Sequence, residues 1–370
     1  MAARRLAILV SFSGDGGVEV VVARLARAFA ARPGLDVDVL LLKARGKHLA
    51  RLPEHINLIK LRADSAALAT GEVARYLRRE RPDVLLAAKD RAGRLALRAR
   101  RRSGVAVPVY LQLHNQPSRT LARRAPWVRA WWRWRMARSY PQADGIIAVS
   151  RDVAEDVRQV SGVPARRVAV LPNPVFDEDL LRAARAPVDH PWLGDGRTAP
   201  VVLGVGRFIP QKGFDTLLAA VARLDGVRLL LLGDGPERAA LRARAEALGI
   251  AARVDMPGFV ANPWAWMARA DLFALPSRWE GLGLVLVEAM ALGTPVVATD
   301  CPGGPPEILD GGRVAPLVPV DDAAALAEAM AGVLAEPPAP ERLRAAVAPY
   351  HVDRSAAAYL AHLGLASGAA

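Results

Sequence analysis

Cysteine is almost absent from this chain of 370 residues. Cys301 is the only one, so an intramolecular disulfide is excluded. A single cysteine is typical of a protein that works in a reducing compartment. It lies in a loop between a predicted strand and a predicted helix, and nothing around it in the sequence indicates thiol chemistry.

Long apolar runs are also absent. No stretch of eighteen uninterrupted apolar residues occurs, so the sequence predicts no membrane-spanning helix. Arg4 and Arg5 before the apolar run 6–12 faintly resemble a signal peptide. That run is short, and Gly-Asp-Gly-Gly follows it in place of a small-residue cleavage site. We therefore predict that it is the first strand of a cytoplasmic protein.

Acidic residues are missing from residues 91–143, and charge is uneven along the chain. Residues 1–180 contain 33 Lys and Arg against 17 Asp and Glu, whereas residues 181–370 contain 17 against 20. The basic first half makes nucleic-acid binding an alternative function. However, the sequence has no helix-turn-helix, zinc or RRM signature, and aromatic residues are not interleaved on its strands. We therefore predict that nucleic acid is not a partner.

Short apolar runs alternate with helical stretches rich in Ala, Arg and Leu. This rhythm predicts an α/β protein with doubly wound parallel sheets, and 370 residues exceed one domain. We count seven strand-like runs before Val175 and about six after Val201. The predicted organisation is an N-terminal domain of residues 1–180, a linker of 181–199, a second domain of 200–349 and a C-terminal helix within 350–370.

The most informative segment contains Glu280 and Glu288. A turn broken by Gly281 and Gly283 separates them, and a predicted helix begins near Leu284. The first N–H groups of a helix lack intrahelical partners, and its positive dipole end favours phosphate oxygens. A carboxylate can accept two hydrogen bonds, which suits a vicinal diol such as that of ribose. The segment therefore predicts a site for a polyhydroxylated, diphosphate-bearing ligand.

A second segment places two cations between a strand and a helix. Arg207 and Lys212 follow the apolar run 201–205 and precede a predicted helix. Two cations at such a turn can neutralise two phosphates, and charge-assisted hydrogen bonds of this kind contribute roughly 1.5–3 kcal/mol each.

Together these segments resemble the retaining glycosyltransferases of family 4, also called group 1, which have the GT-B fold. In that family two Glu residues separated by seven others are followed by Gly-Thr-Pro-Val-Val. Here Glu280 and Glu288 are followed by the same five residues at positions 293–297. The resemblance implies two Rossmann-like domains, with the C-terminal helix packed back on the first. It also implies retaining transfer from a nucleoside-diphosphate sugar, with no metal or other cofactor.

The resemblance implies a role for each matching residue. Glu288 is expected to hold the nucleotide ribose, Glu280 the donor sugar, and Arg207 and Lys212 the diphosphate. His114, at the end of the run 109–113, is expected to contact the donor sugar and to be catalytic with Glu280. The remaining donor contacts are expected from Gly16, Gly17, Pro257, Gly258, Gly281, Leu282, Gly283 and Leu284. Glu19 stands where a Rossmann fingerprint would have its third glycine.

The substrates are predicted less narrowly. The segments 171–175 and 299–309 look like the branch of the family that builds bacterial surface polysaccharides from UDP-sugars. The resemblance then implies a lipid-linked glycan or a lipopolysaccharide core as acceptor, with Lys89, Arg91 and Asn115 as candidate acceptor contacts. The alternatives within the fold are a sugar-nucleotide epimerase and a phosphorylase-like enzyme, although the spacing of the two Glu favours a transferase.

The acid-free stretch contains a predicted helix rich in tryptophan and arginine. Residues at helical spacing that suit the headgroup region of an anionic membrane are Trp127, Trp131, Trp134, Arg133 and Arg135. We predict that this helix docks the protein on the inner face of the cytoplasmic membrane. The alternative is an ordinary helix whose tryptophans lie in the core and whose arginines are solvated.

No metal site is predicted. Asp36 and Asp38 form an Asp-x-Asp sequence of the kind that holds a divalent ion in the other large glycosyltransferase fold. Here the pair opens an apolar strand, on which alternate residues share a face. It also lies far from the nucleotide motifs, so we interpret it as a coincidence.

Overall fold

The computed structural model describes residues 3–13, 16–45, 49, 52–62, 66–122, 124–194 and 196–366. The chain forms two compact units. The first contains Met1–Pro174 together with Val352–Ala370, and the second contains Val175–His351.

The first unit contains a seven-stranded parallel sheet in the order β3-β2-β1-β4-β5-β6-β7. Its strands are β1 (Arg4–Ser13), β2 (Leu35–Arg45), β3 (Asn57–Lys60), β4 (Val84–Ala88), β5 (Val109–Leu113), β6 (Gly145–Ala148) and β7 (Val168–Val170). The helices between them are α1 (Gly17–Ala30), α2 (Ala66–Glu80), α3 (Asp90–Ser103), α4 (Pro117–Leu121), α5 (Pro126–Ser139) and α6 (Arg151–Ser161).

The second unit repeats this arrangement with a six-stranded parallel sheet in the order β10-β9-β8-β11-β12-β13. Its helices are α7 (Glu178–Ala183), α8 (Phe214–Val221), α9 (Arg238–Ala247), α10 (Pro263–Met267), α11 (Leu284–Leu292), α12 (Pro305–Ile308), α13 (Ala323–Ala335) and α14 (Pro340–Val347). Its strands are β8 (Val201–Val205), β9 (Arg228–Leu232), β10 (Val254–Gly258), β11 (Leu272–Leu275), β12 (Val296–Thr299) and β13 (Leu317–Val318).

Both sheets place their first strand in the interior, which confirms the predicted doubly wound class. The central strands are continuous apolar runs because helices cover both faces of a parallel sheet. Leu6, Ile8 and Leu9 of β1 are fully buried, as are Val202 and Leu203 of β8. In such sheets ligands bind at the carboxyl ends of the strands, where the loops described below lie.

The last helix, α15 (Val352–His362), belongs to the first unit. Tyr359 is fully buried, and its hydroxyl accepts a hydrogen bond of 2.8 Å from Gln112 Nε2 on β5. Ser355 Oγ donates to the Pro172 carbonyl at 2.6 Å. The chain passes from the first unit to the second between Pro174 and Val175, so residues 181–199 fall inside the second unit.

The Asp-x-Asp sequence has structural partners. Asp38 is 3% exposed and accepts hydrogen bonds from Tyr76 Oη at 2.5 Å and Asn57 Nδ2 at 3.1 Å. Arg5 forms ion pairs with both Asp36 and Asp38, each at 3.5 Å. These contacts tie β1, β2, β3 and α2 together.

Where the structure describes the chain, no helix is both long enough and apolar enough to cross a membrane.

We expect two glycine substitutions to change stability in opposite directions. Gly213 has a φ of 63°, and a Cβ there would fall on the carbonyl oxygen of Pro276, so Gly213→Ala should cost about 2 kcal/mol or more. Gly332 lies inside α13 with open space around it, so Gly332→Ala should stabilise by about 0.5–1 kcal/mol. Thermal and urea unfolding of both variants would measure this, and equal effects at the two positions would contradict the described packing.

Candidate active site

A largely buried ion pair marks the centre of the candidate site in the second unit. Lys212 Nζ lies 2.6 Å from Glu280 Oε1, and Ser277 Oγ donates to the same oxygen at 2.7 Å. Glu280 is only 7% exposed. Glu280 Oε2 has no hydrogen bond to any described residue, so this oxygen remains available to a ligand hydroxyl.

Arg278 holds the loop that carries Lys212. Its guanidinium donates to the Pro210 carbonyl at 2.6 Å and forms ion pairs of 2.8 Å with Asp215 and Asp321. Burial of Asp215 opposes its ionisation, but the hydrogen bond and charge of Arg278 outweigh this and lower the pKa of that carboxyl. One cation thus connects the loop before α8 to β11 and to the loop before α13.

Glycines let two chain segments converge at this point. A Cβ on Gly303 would fall on the carbonyl oxygen of Glu280, and a Cβ on Gly304 would fall on that of Leu282. Gly283 has a φ of 89°, a conformation that residues with a Cβ rarely adopt. The loop after β12 therefore packs directly on the turn between β11 and α11.

Helix α11 begins at this turn without a side-chain cap. Gly283 is its N-cap, and the first intrahelical bond runs from the Leu286 N–H to the Gly283 carbonyl at 3.0 Å. The N–H groups of Leu284 and Val285 make no backbone hydrogen bond to a described residue. Glu288 lies one turn further on and is 8% exposed. An uncapped helix start presents two N–H donors to a ligand, and the Glu288 carboxylate lies one turn into the same helix.

The other predicted donor contacts lie on neighbouring loops of the same unit. Arg207 is exposed in the connection between β8 and α8, and its guanidinium has no ion-pair partner among the described residues. Pro257 and Gly258 end β10, where the Gly258 carbonyl accepts a hydrogen bond of 2.8 Å from the Gly233 N–H. The next side chain, Phe259, is 70% exposed.

The negative charge of Glu280 acts on Cys301, and the thiol of Cys301 is unreactive. It is 1% exposed, and burial together with the negative charge of Glu280 raises the pKa of its thiol to about 12. The side chain is therefore a protonated, buried thiol at ordinary pH.

His114 ends β5 in the first unit, as the sequence predicts. The residue is 9% exposed, and its Nε2 has no hydrogen-bond partner in the described part of the chain. Burial and the positive charge of Lys89 lower the pKa of the imidazole to about 3. The ring is therefore neutral at ordinary pH, with one nitrogen able to donate and the other able to accept.

Lys89 and Glu19 form an ion pair beside His114. Lys89 Nζ lies 2.8 Å from Glu19 Oε1, and Glu19 is 3% exposed. Lys89 is the N-cap of α3 and has a φ of 77° and a ψ of 151°. The predicted donor contacts Gly16 and Gly17 lie at the start of α1, where a Cβ on Gly16 would clash with Glu19.

The predicted acceptor residues surround one pocket of about 550 Å³ in the first unit. Lys89, Arg91 and Asn115 line it together with His114. Helix α5 contributes its inward face to the same pocket through Val128, Trp132 and Met136.

The opposite side of α5 carries exposed tryptophans. Trp127, Trp131 and Trp134 are 75%, 46% and 55% exposed, so these three are not core residues. Their spacing places them on one stripe of the helix. Arg133 is exposed as well, whereas Arg135 is half-buried with its guanidinium 4.4 Å from the Trp131 ring centroid.

Comparison with known proteins identifies the family. The model of Glycosyl transferases group 1 matches residues 192–348, and that of Glycosyltransferase Family 4 matches residues 15–179. The lipopolysaccharide core biosynthesis glycosyltransferase LpsE of Rhizobium meliloti (strain 1021) is 31% identical over 331 residues, which cover 88% of this chain and 87% of LpsE. The chain is a family 4 glycosyltransferase.

Solved structures share its GT-B fold. HepE of Anabaena in complex with UDP superposes with a TM-score of 0.81 at 23% identity, over 98% of this chain and 99% of HepE. The apo lipopolysaccharide outer core galactosyltransferase WaaB superposes with a TM-score of 0.74 at 20% identity, over 95% and 97% of the two chains. The predicted fold and family are thus confirmed, whereas the roles of single residues in this glycosyltransferase remain predictions.

Sequence reasoning missed several residues of this glycosyltransferase that the structure places at the two sites. Arg278 and Ser277 lie inside the predicted motif; Ser277 bonds to the nearby Glu280, whereas the partners of Arg278 are distant in sequence. Asp90 and Tyr140 are joined by a hydrogen bond of 2.9 Å at the first-unit pocket. The sequence indicates Asp90, which follows β4 between Lys89 and Arg91, but it does not indicate its partner Tyr140, fifty positions away. In the described part of the chain, no group of three or more His, Cys, Asp or Glu side chains could hold a metal ion.

We expect His114 to make the stability of the glycosyltransferase depend on pH. The unfolded chain binds a proton at His114 near pH 6.5, whereas burial keeps the folded imidazole neutral down to about pH 3. Stability is therefore retained above pH 6.5 and lost as pH falls towards 3, by up to about 1.4 kcal/mol per pH unit. Urea unfolding between pH 7.5 and 4.5 should show a shallower loss in His114→Gln than in the wild type, and identical slopes would contradict the assignment.

Proposed function

We propose that the enzyme transfers a sugar from a UDP-sugar, with retention of anomeric configuration and without a metal, to a lipid-linked glycan or lipopolysaccharide core. The observation that carries this proposal is the largely buried Lys212–Glu280 pair at the uncapped start of α11. A cation, a half-satisfied carboxylate and free helix amides together match the phosphates and hydroxyls of a nucleotide sugar.

The donor is proposed to lie along the second unit. Glu288 accepts hydrogen bonds from the ribose diol, since a carboxylate has room for two donors. Lys212 and Arg207 contact the diphosphate together with the N–H groups of Leu284 and Val285. Glu280 Oε2 accepts a hydroxyl of the sugar. The name of the HepE structure, which includes UDP, supports uracil as the base.

The reaction then depends on charge that develops on the leaving diphosphate. As the bond from the sugar C1 to the phosphate oxygen breaks, negative charge grows on the UDP group. In this proposal Lys212, Arg207 and the α11 amides face that position, so they stabilise the transition state more than the ground state. The acceptor hydroxyl attacks C1 from the face that UDP leaves, and a β-phosphate oxygen takes its proton.

These cations fill the role that a divalent ion fills in other nucleotide-sugar enzymes. Lys212 and Arg207 contribute two positive charges, and the helix start contributes roughly half a charge more. We therefore propose that turnover continues in EDTA at the rate measured with added Mg²⁺.

The acceptor side is proposed from the relatives and from the first unit. LpsE and WaaB are named for lipopolysaccharide core synthesis, which supports a lipid-linked or lipopolysaccharide acceptor here. His114, with its neutral ring, can donate to one sugar hydroxyl and accept from another. The proposed cellular site is the inner face of the cytoplasmic membrane.

We expect Lys212→Ala and Glu288→Ala each to lower turnover of UDP-sugar about 10- to 100-fold, the factor that one lost charge-assisted hydrogen bond produces. UDP release with acceptor present would measure this across a panel of UDP-, GDP- and ADP-sugars. Arg242→Ala, on the exposed side of α9, removes one cation of the same unit and serves as the matched control.

Three outcomes would oppose this assignment. Turnover like that of the wild type in either variant would remove Lys212 or Glu288 from the site, provided that melting curves show folded protein. Conversion of the donor to another sugar nucleotide without acceptor would instead indicate an epimerase. Product formed from a sugar 1-phosphate would indicate a phosphorylase-like enzyme.

The exposed tryptophans of α5 are proposed to dock the enzyme on an anionic membrane. Indole rings favour the headgroup region, and the neighbouring arginines attract anionic lipids. Arg138 lies with its guanidinium 5.2 Å from the Trp134 ring centroid, so aromatic and cationic groups share the stripe.

We expect Trp127→Ser/Trp134→Ser to weaken binding to phosphatidylglycerol vesicles by about tenfold or more, which corresponds to about 1.4 kcal/mol. Leu58→Ser/Leu68→Ser removes two exposed apolar side chains elsewhere on the same unit and should bind like the wild type. Co-sedimentation at low and high salt measures both. Absence of wild-type binding at low salt would defeat the docking proposal.

A further inference from the structure

The pocket of the first unit has a chemical character more specific than a general acceptor surface. We propose that it binds a sugar residue that carries a phosphate, with Arg91 and Arg124 on the phosphate and Trp132 beside the sugar ring. This inference rests on the proposed function, because it names the class of acceptor that the glycosyltransferase recognises.

The charges around the pocket leave two cations uncompensated. Lys89 is paired with Glu19, and Asp90 forms an ion pair with Arg94. Arg91 and Arg124 also line the pocket, and both are exposed. Neither guanidinium has an ion-pair partner among the described residues. Since a guanidinium fork matches the geometry of a phosphate, these two side chains suit a phosphate group at the mouth.

The interior of the pocket is aromatic and apolar. The Arg94 guanidinium lies 4.5 Å from the ring centroid of Trp132. Trp131 packs against Trp132 edge to face, with 5.1 Å between the two ring centroids. Tyr140 is fully buried, and its hydroxyl donates to Asp90 Oδ1 at 2.9 Å. Trp132, half-buried and held by Arg94 and Trp131, presents a rigid apolar surface to the C–H face of a sugar.

His114 supplies a polar group beside these apolar walls. Its Nε2 is buried, lacks a partner in the described part of the chain and belongs to a residue that lines the pocket. A buried polar atom without a partner is unfavourable, and a ligand hydroxyl would satisfy it. The pocket volume of about 550 Å³ falls within the range of roughly 300–1,000 Å³ typical of ligand sites.

Calorimetric titration without donor sugar tests the pocket directly. The probes are a deacylated, phosphorylated lipopolysaccharide core oligosaccharide, the same oligosaccharide after dephosphorylation, and inorganic phosphate. We expect the wild type to bind the phosphorylated oligosaccharide about tenfold or more tightly than the dephosphorylated one. Arg91→Gln/Arg124→Gln should abolish this preference, whereas Trp132→Leu should weaken the binding of both oligosaccharides.

The matched control is Arg101→Gln/Arg119→Gln. Both residues are exposed on α3 and α4, the double variant loses the same charge, and neither residue lines the pocket. It should keep the wild-type preference. The proposal is overturned if the control loses the preference equally, if the wild type does not distinguish the two oligosaccharides, or if inorganic phosphate alone binds as tightly as the phosphorylated one.

Failure of this inference can be distinguished from failure of the proposed function. UDP should raise the melting temperature of the wild type and of Arg91→Gln/Arg124→Gln by the same amount, because the donor is proposed to bind the second unit. A normal UDP effect without phosphate preference overturns the pocket proposal alone. Phosphate-selective binding without any UDP effect overturns the donor proposal alone.

Discussion

The ion pair between Lys212 and Glu280 is the interaction on which the candidate donor site depends. Removing two charges from water is costly, and the attraction between them offsets this cost only when further hydrogen bonds are made. Ser277 provides one such bond to the carboxylate. Glycines at the contacts with the β12 loop let the backbone come close enough to bury the pair. The pair is therefore a product of the local packing as much as of its two residues.

The local part of this arrangement could be predicted from sequence. A strand, a glycine-broken turn and an apolar helix are encoded within residues 272–292, and β11 and α11 begin and end where that pattern indicates. The partners of Arg278 could not be predicted in the same way. Asp215 and Asp321 lie 63 and 43 positions away, and no periodicity connects them to Arg278.

The first unit shows the same division between local and distant information. The spacing of Trp127, Trp131 and Trp134 predicted that they share one stripe, because helical periodicity is a local property. It could not predict that Trp132 would line a pocket with residues of α3 and β5, since that neighbourhood results from strand order. Arg135 also differs from the expectation of a purely solvated arginine, because it lies over the rings of Trp131 and Trp132. The chain passes from the first unit to the second after Pro174, and no helical periodicity of this kind marks that position.

Lys89 has a consequence for how this chain can evolve. Its φ of 77° and ψ of 151° belong to a backbone region that costs a non-glycine residue about 1–3 kcal/mol. Glycine at this position would relieve that cost and would remove the ammonium group that contacts Glu19. Losing that ammonium would also leave the buried Glu19 carboxylate without this cation, a cost that offsets the strain relieved. The strained backbone and the ion pair are therefore retained together, and neither Lys89 nor Glu19 can be replaced alone without removing this ion-pair partner from the other.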